Sequence, residues 1–325
     1  LKWDKLSYKE KMKLKKPKFW DYKKPNLYSY LLLPISIILQ LISKFRSKPK
    51  QINSKIKTIC VGNIYIGGTG KTSLAIKIKE ILEQRKIKVC FIKKFYSDQA
   101  DEQKLLSKNG QIFISKKRTL ALNEAISQGY NFAIFDDGLQ DTSIKYDLEI
   151  VCFNNINWIG NGHTLPSGPL RENINNLKYY NNVFLNGNDE NLLDIKKQIH
   201  KINPEININQ GQYIPLNIDS INKNENYLAF SGIGNHETFV QMLKDNHLKI
   251  VDDLEYPDHY QYSKKDLSEI TDKAKKYNSK IITTEKDFLR LECFDKIEIL
   301  YIKSTLKILD EEKFTQNLIK LNEEN

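Results

Sequence analysis

From residue 57 onward, short apolar runs rich in β-branched side chains alternate with segments whose apolar positions recur at helical spacing. Strands are predicted at 58–61, 89–92, 112–114, 132–135, 148–153 and 183–185. Helices are predicted at 72–84 and 119–128. Strands and helices in alternation are typical of a parallel sheet with helices on both faces, so the pattern predicts an α/β fold.

A second alternation follows an Asn-rich stretch, 203–226, which contains one strand-like segment at 213–218. Its strands are predicted at 227–230, 281–284 and 297–302, and its helices at 237–244 and 311–322. We therefore expect a larger α/β domain at 51–204, a connection at 205–226 and a second, smaller α/β domain at 227–325.

The N-terminal part, residues 1–50, contains the one membrane-like segment of the chain, 25–43, which has no charged side chain. On a helix its polar side chains form one narrow stripe: Asn26, Ser29, Ser36, Gln40 and Ser43. A wide apolar face beside a narrow polar stripe favours a helix lying in a membrane interface over one that crosses the bilayer. The alternative is an ordinary helix buried in the core.

Positive charge is concentrated at the same end of the chain. The net charge is +11, and residues 1–57 hold sixteen basic and three acidic side chains, so the remainder is nearly neutral. Lysines on both sides of the apolar segment suit anionic lipid headgroups. A nucleic-acid partner is not expected, because no basic groove with interleaved aromatic residues is present.

Cysteine and histidine spacing gives no sign of a metal site. The four cysteines, Cys60, Cys90, Cys152 and Cys293, form no CxxC pair, and the five histidines lack ligand spacing. Three of the cysteines lie in apolar runs, which is typical of reduced, buried thiols in a cytosolic protein. A structural zinc site is therefore not expected.

A glycine-rich loop lies between the first predicted strand and the first predicted helix of the larger domain. Its residues are Gly67, Gly68, Thr69, Gly70, Lys71 and Thr72. Glycines let backbone N–H groups turn toward an anion at a helix N-terminus. Lys71 can reach the β- and γ-phosphates, and the Thr72 hydroxyl can bind Mg²⁺. The loop predicts a site for ATP and Mg²⁺, although Tyr65 stands where the strict pattern has its first glycine.

Two carboxylates, Asp136 and Asp137, follow the apolar strand 132–135. In a parallel sheet this strand end lies at the same edge as the glycine loop, where a Mg²⁺ ligand is needed. We expect one or both to bind the metal. Taken alone, the same residues followed by glycine are also typical of a surface turn.

Four further groups are candidates for the acceptor side of the reaction: Asp101-Glu102, 168–172, Asp258-His259 and Glu285-Lys286-Asp287. Each group alone is equally compatible with an ordinary exposed loop or helix end. Their order along the chain carries more information than any one of them.

Seven stretches in order resemble the tetraacyldisaccharide 4′-kinase family of lipid A biosynthesis. They are VGNIYIGGTGKT (61–72), ADEQKLL (100–106), DDGLQD (136–141), GPLRE (168–172), FSGIGN (230–235), YPDHYQY (256–262) and TEKD (284–287). The resemblance implies transfer of the γ-phosphate of ATP to the 4′-hydroxyl of an acylated glucosamine disaccharide 1-phosphate, giving lipid IVA. It also implies a cytoplasmic-face location on the bacterial inner membrane, with the N-terminal helix associated with the lipid surface.

By position, the resemblance makes Asp101 the catalytic base and His259 its partner. Lys71 and Arg171 would neutralise phosphate charge, and the second domain would close over the nucleotide about the connection at 205–226.

The chain departs from the family pattern at three points. The usual SRGYG-like segment is replaced by 92–97, which runs almost directly to Asp101; His236 stands in the place of a usual proline, and Leu139 in that of a phenylalanine. The contracted loop leaves its contribution to substrate binding open.

A membrane-associated partitioning-type ATPase with a P-loop is the alternative. That class needs a lysine directly before the paired glycines, and here the position is Ile66.

Overall fold

The computed structural model describes residues 16–44, 56–96, 100–187, 191–258, 260–291 and 298–323. Within them the helices are α1 (Leu27–Lys44), α2 (Lys71–Glu83), α3 (Ala100–Lys108), α4 (Arg118–Ser127), α5 (Leu192–Ile202), α6 (His236–Asp245), α7 (Lys264–Lys276), α8 (Glu285–Arg290) and α9 (Glu311–Glu323). Short 3₁₀ helices lie at Lys18–Trp20, Ile174–Tyr179 and Ile218–Ser220. Cys293 and His259 lie outside the described residues.

The strands form two sheets. They are β1 (Lys57–Gly62), β2 (Val89–Lys94), β3 (Ile112–Ser115), β4 (Phe132–Asp136), β5 (Leu148–Asn154), β6 (Asn182–Asn186), β7 (Asn207–Pro215), β8 (Asn226–Ser231), β9 (Lys249–Glu255), β10 (Lys280–Thr284), β11 (Ile299–Ile302) and β12 (Ser304–Ile308). The first sheet has the order β12-β7-β6-β5-β1-β4-β2-β3, and the second has the order β11-β10-β8-β9. Only β12, antiparallel to β7, departs from parallel pairing among these strands. The predicted α/β fold with a parallel sheet is confirmed.

The first sheet is covered on both faces because its central strands are apolar on both faces. Val61 and Ile59 of β1 pack on one face against Leu74 and Ile78 of α2. Cys60 of the same strand points to the opposite face, in a core that includes α4. Side chains alternate across a strand, so burial of consecutive residues requires cover on both sides.

The end of the chain returns to the first sheet. Leu306 and Ile308 of β12, with Phe314 and Leu318 of α9, join the core that contains α2. Strand β7, within 205–226, pairs with β6 and β12. Strand pairing therefore crosses the boundaries expected at 205–226 and 227–325. The division into two domains that move relative to each other stays a prediction.

The second sheet is covered on both faces. Tyr227 and Ala229 of β8 pack against the side of α6, while Leu228 and Phe230 of the same strand pack against α7. The chain passes between the sheets twice, after β7 and between β11 and β12. Asn217 joins the two passages, because its Nδ2 donates to the Tyr301 carbonyl and its Oδ1 accepts from the Lys303 N–H, each at 2.9 Å.

Helix α1 turns Ser29, Ser36 and Gln40 of its polar stripe toward the protein. Ser29 and Ser36 are fully buried. The Ser36 hydroxyl donates to the Thr164 carbonyl and accepts from the Ser167 N–H, both at 3.0 Å. The opposite face is exposed, with Leu31 at 66% and Ile38 at 56%.

The alternative of an ordinary core helix is therefore wrong for α1, because its apolar side chains face outward. The helix also continues through Pro34. Among the described helices, none combines the length and apolarity that a membrane crossing requires.

Candidate active site

The glycine loop connects β1 to α2 at the carboxyl edge of the first sheet. Gly70 has a φ of 82° and caps α2, so that Lys71 is the first residue of the helix. The left-handed backbone there favours glycine. From beneath, the Asn63 side-chain amide donates to Thr69 Oγ1 at 3.1 Å and to the Gly67 carbonyl. The arrangement presents a helix N-terminus to an anion.

Tyr65, which replaces the first glycine of the strict pattern, joins this loop to the N-terminal segment. The side chain is 2% exposed. Lys16 Nζ donates to its hydroxyl at 2.6 Å, and the hydroxyl donates to Asp21. Burial, together with the charge of Asp21, raises the pKa of Tyr65 well above its usual range, so the phenol stays protonated.

A second glycine loop, 232–235, touches the first. The Gly68 N–H donates to the Gly234 carbonyl at 3.0 Å, and a Cβ on Gly68 would lie 2.6 Å from the Gly234 carbonyl carbon. Both Gly68 and Gly234 must be glycine, because the two backbones leave no room for a Cβ atom between them. The second loop leads into α6, where Asn235 Oδ1 accepts from the Thr238 N–H.

A cavity of about 370 Å³ lies where the two loops meet. Polar groups in its lining include the glycine loop, Glu102, Asp258 and Lys286. Apolar side chains line it as well, among them Leu216, Phe239, Met242, Ile302 and Leu306. The lining therefore combines groups that suit phosphates with apolar side chains that suit a flat ring system.

Asp136 and Asp137 have different partners. Asp136 is the last residue of β4, and its Oδ2 accepts from the Thr72 hydroxyl at 3.3 Å. Asp137 has a φ of 61° and forms a two-pronged ion pair with Arg171, at 2.6 and 3.2 Å. Burial acts to raise the pKa of Asp137, but the charges of Lys71 and Arg171 outweigh it and hold the pKa well below its usual range. Asp137 is thus a carboxylate at any ordinary pH, and Arg171 is engaged with it.

The residues around Asp136 fit Mg²⁺ held jointly with phosphates. Asp136 Oδ1 is buried and accepts no hydrogen bond within the described part of the chain, and the Thr72 hydroxyl lies beside Oδ2. No cluster of three His, Cys, Asp or Glu that could hold a metal by itself occurs within those same ranges. Mg²⁺ commonly binds one or two carboxylates and completes its octahedron with water and phosphate oxygens.

Lys93 is the residue at this site that sequence reasoning missed. Its Nζ donates to Glu102 Oε2 at 2.5 Å and to Asp136 Oδ2 at 2.6 Å, and its side chain is 1% exposed. Burial acts to lower the pKa of Lys93, but the two carboxylates raise it above its usual range. The alternation of side chains along β2 could have identified Lys93 from the sequence. Val89 and Phe91 pack under α2, and residue 93 lies on the same face of the strand.

The proposed base lies at the start of α3. Asp101 is the second residue of that helix and precedes Glu102, which lines the cavity. Its expected partner His259 is outside the described residues, whereas the neighbouring Asp258 lines the cavity. The roles of Asp101 and His259 stay predictions.

Comparison with known proteins decides the family. The model of the family described as "Tetraacyldisaccharide-1-P 4′-kinase" matches residues 28–323. The chain belongs to the tetraacyldisaccharide 4′-kinase family. The resemblance stated from the seven sequence stretches is confirmed, and the partitioning-type ATPase is set aside.

Relatives in this family cover nearly the whole chain. The tetraacyldisaccharide 4′-kinase of Pelagibacter ubique (strain HTCC1062) is 74% identical over 314 residues, which cover 97% of this chain and 100% of that protein. The enzyme of the same name from Rickettsia canadensis (strain McKiel) is 35% identical over 299 residues, covering 86% and 89%.

The fold is shared with LpxK from Aquifex aeolicus, whose crystal structure is described as a complex with ATP. The TM-score is 0.64 at 22% identity, and the match covers 91% of this chain and 99% of that one. At this level of identity the comparison supports the fold alone. The kinase family and the α/β fold therefore rest on independent observations.

Proposed function

We propose that this protein transfers the γ-phosphate of ATP to the 4′-hydroxyl of tetraacyldisaccharide 1-phosphate, giving lipid IVA. The observation that carries the proposal is the pairing of the glycine loop with Asp136. Thr72 at the start of α2 and Asp136 at the end of β4 are in hydrogen-bond contact beside a cavity. Both residues belong to a chain that matches the kinase family over 28–323.

The glycine loop would bind the phosphates of ATP. Backbone N–H groups at the start of α2 and the Lys71 ammonium group supply positive charge, and the apolar side chains of the cavity lining suit the adenine ring. Thr72 and Asp136 would hold Mg²⁺, with Asp137 adjacent. When bound there, Mg²⁺ supplies positive charge toward the phosphate oxygens.

The acceptor hydroxyl must lose its proton as it attacks phosphorus. We assign that proton to the Asp101 carboxylate, oriented by His259. The new bond joins the 4′-oxygen to the γ-phosphorus, and the bond from that phosphorus to the bridging oxygen breaks, so that ADP leaves. Burial acts to raise the pKa of Glu102, but the charges of Lys93 and Lys71 lower it below its usual range, which makes Glu102 a weak base.

Asp101→Asn should lower turnover by roughly 10²- to 10⁴-fold, because a general base is removed without a change of shape. The KM for ATP should stay within a few-fold. Steady-state kinetics with both substrates measures the two effects. Turnover within tenfold of wild type would assign the base elsewhere.

The membrane part of the proposal rests on α1. Its outward face is apolar, and its polar stripe is already occupied by the protein, so the exposed face suits the headgroup region of a bilayer. The stripe contacts the loop at 161–168, which runs directly into Arg171 and its pair with Asp137. We propose that the enzyme works at the cytoplasmic face of the bacterial inner membrane, where its lipid substrate need not leave the bilayer.

One assay tests the function directly. The full-length protein is incubated with γ-labelled ATP, Mg²⁺ and tetraacyldisaccharide 1-phosphate in mixed micelles, and the label is followed into the lipid. The expected product carries the label on the second sugar, at the 4′ position. Release of labelled inorganic phosphate with no labelled lipid would contradict the proposal and favour an ATPase.

A further inference from the structure

Lys93 lies near the carboxyl end of β2, at the same edge of the first sheet as the glycine loop. Val89 and Phe91 on the same face of the strand are buried beneath α2, and Lys93 extends that face into the active site with a side chain only 1% exposed. A lysine is rarely this buried unless its charge is paired. Here it is paired twice, with carboxylates from two different elements.

The two carboxylates belong to parts of the site with separate tasks. Asp136 lies on β4 beside Thr72, and Glu102 lies on α3 next to the proposed base Asp101. Their oxygens contact the same nitrogen at 2.5 and 2.6 Å, so the two oxygens lie close to each other as well. Without the ammonium group, two negative charges would face each other across a gap of about 5 Å or less with little water between them.

The ion pair between Lys93 and Glu102 also links the two ends of the short connection between β2 and α3. The Lys93–Glu102 contact joins residues on either side of that connection, and α3 begins at Ala100. The start of α3 is therefore tied to β2 and β4 by one side chain. The proposed base is the second residue of this helix and directly precedes Glu102.

Two close carboxylate oxygens beside a threonine hydroxyl are also ligands that a divalent cation prefers. The Lys93 ammonium group already neutralises them. A cation arriving alone would have to displace a buried, doubly paired lysine. A cation arriving with phosphates can instead use Asp136 Oδ1, which is buried and accepts no hydrogen bond from the described residues.

We propose that Lys93 is a positioning residue that acts as a built-in cation between Asp136 and Glu102. It holds α3 against β4 and prevents a divalent cation from binding between the two carboxylates when no nucleotide is bound. Its effect on turnover rests on the proposed function, but its effect on metal binding does not.

The test compares Lys93→Met, Lys93→Arg and the control Lys94→Met in the full-length protein. Methionine keeps the length of the side chain and removes the charge, and arginine keeps the charge. Lys94 is partly exposed, and its Nζ lies over the Tyr96 ring at 5.6 Å, away from the two carboxylates. It therefore reports the loss of a neighbouring lysine without the two ion pairs.

The first readout is the melting temperature against the concentration of MgCl₂, with no nucleotide present. Wild type and Lys94→Met should respond weakly and alike. Lys93→Met should melt lower without Mg²⁺ and regain stability at an Mg²⁺ concentration at least about tenfold lower than wild type needs for any shift. An unchanged Mg²⁺ response in Lys93→Met would overturn the proposal.

The second readout is the separation of kcat from KM. Lys93→Met should lose at least about tenfold in kcat with its KM for ATP within threefold, and Lys93→Arg should recover part of the loss. A wild-type protein that phosphorylates no lipid would refute the proposed function and leave the Mg²⁺ result standing. Wild-type kcat in an active Lys93→Met enzyme would refute the positioning role alone.

If Lys93→Met fails to fold, the double variant Lys93→Met/Glu102→Gln replaces it, because it removes one of the two facing charges. That variant should be more stable than Lys93→Met and should lose the tight response to Mg²⁺ alone. A double variant that folds no better than Lys93→Met, or that is stabilised at a lower Mg²⁺ concentration than wild type, would contradict the built-in-cation role.

Discussion

Helices α1 and α2 are both amphipathic, but they turn opposite faces to the protein. Helix α2 buries Leu74 and Ile78 against the first sheet. Helix α1 buries Ser29 and Ser36 instead and leaves Leu31 and Ile38 in the open. The same kind of pattern along the sequence therefore gives one core helix and one helix whose apolar face has no partner within the described chain.

The difference lies in what holds each helix. Burial of apolar surface, about 25 cal/mol per Å², attaches α2. Helix α1 is attached by hydrogen bonds between its serines and the loop at 161–168. An apolar face of this size left toward water is typical of a surface that binds a lipid or another apolar partner. The comparison can be tested at four sites, from the largest expected effect to the smallest.

The first residue of α2 carries the largest expected effect, because the helix start is where the phosphates would bind. Lys71→Ala should reduce phosphoryl transfer by roughly 10³-fold or more, since a positive charge facing the transferred group is lost. Lys265→Ala on α7, whose side chain is 85% exposed, should leave turnover unchanged. Both are measured with labelled ATP in mixed micelles. Retained activity of Lys71→Ala would refute the site at the start of α2.

Removing apolar atoms should affect the stability of the two helices very differently. Leu74→Ala in α2 should lower the free energy of unfolding by about 2–5 kcal/mol, because it leaves a cavity in the core. Ile38→Ala in α1 should change it by no more than about 0.5 kcal/mol, since that side chain contacts solvent. Urea unfolding without lipid measures both. Equal losses would mean that α1 packs as α2 does.

A charge on the apolar face of α1 should weaken lipid binding and spare the fold. Ile38→Glu should reduce binding to anionic liposomes by roughly 10- to 100-fold, because apolar burial worth about 1.5–3 kcal/mol is lost and a negative charge is added. The matched control is Leu120→Glu on α4, an apolar residue that is 58% exposed elsewhere on the surface. Sedimentation with liposomes distinguishes the two. Equal binding by both variants would mean that α1 is not the lipid-binding surface.

The smallest effect is expected where α1 is attached to the protein. Ser36→Ala leaves the buried Thr164 carbonyl and Ser167 N–H each without this partner, which costs about 1–3 kcal/mol. The expected result is faster amide exchange across α1 with the rest of the chain unchanged. Ser127→Ala, at an exposed helix end, serves as the control. If α1 exchanged no faster in Ser36→Ala, another contact would hold it.

Sequence reasoning succeeded where the signal is local. The glycine loop followed by an amphipathic helix predicted the position of Lys71 and Thr72 at a strand–helix junction, and the structure has that junction. The apolar strand before Asp136 predicted its position at the same sheet edge, and β1 and β4 are indeed neighbours with Val61 opposite Asp136. Both predictions needed only the rule that parallel strands end at one edge.

Contacts that depend on strand order were not predictable in the same way. Lys93 meets Asp136 because β2 lies directly beside β4, and Arg171 meets Asp137 through a loop 34 positions further along the chain. The return of β12 and α9 to the first sheet likewise depends on a second passage between sheets. Residue spacing contains no direct record of such neighbours.

For this protein the sequence alone determined the alternation of strands and helices, the phosphate-binding loop, the family and the polar stripe of α1. These follow from side-chain chemistry and from residues a few positions apart. Only the tertiary structure decided that the stripe faces inward and that a buried lysine separates Asp136 from Glu102. The reason is that hydrogen bonds and ion pairs between distant residues depend on which elements become neighbours, and that choice is made by the packing of the whole chain.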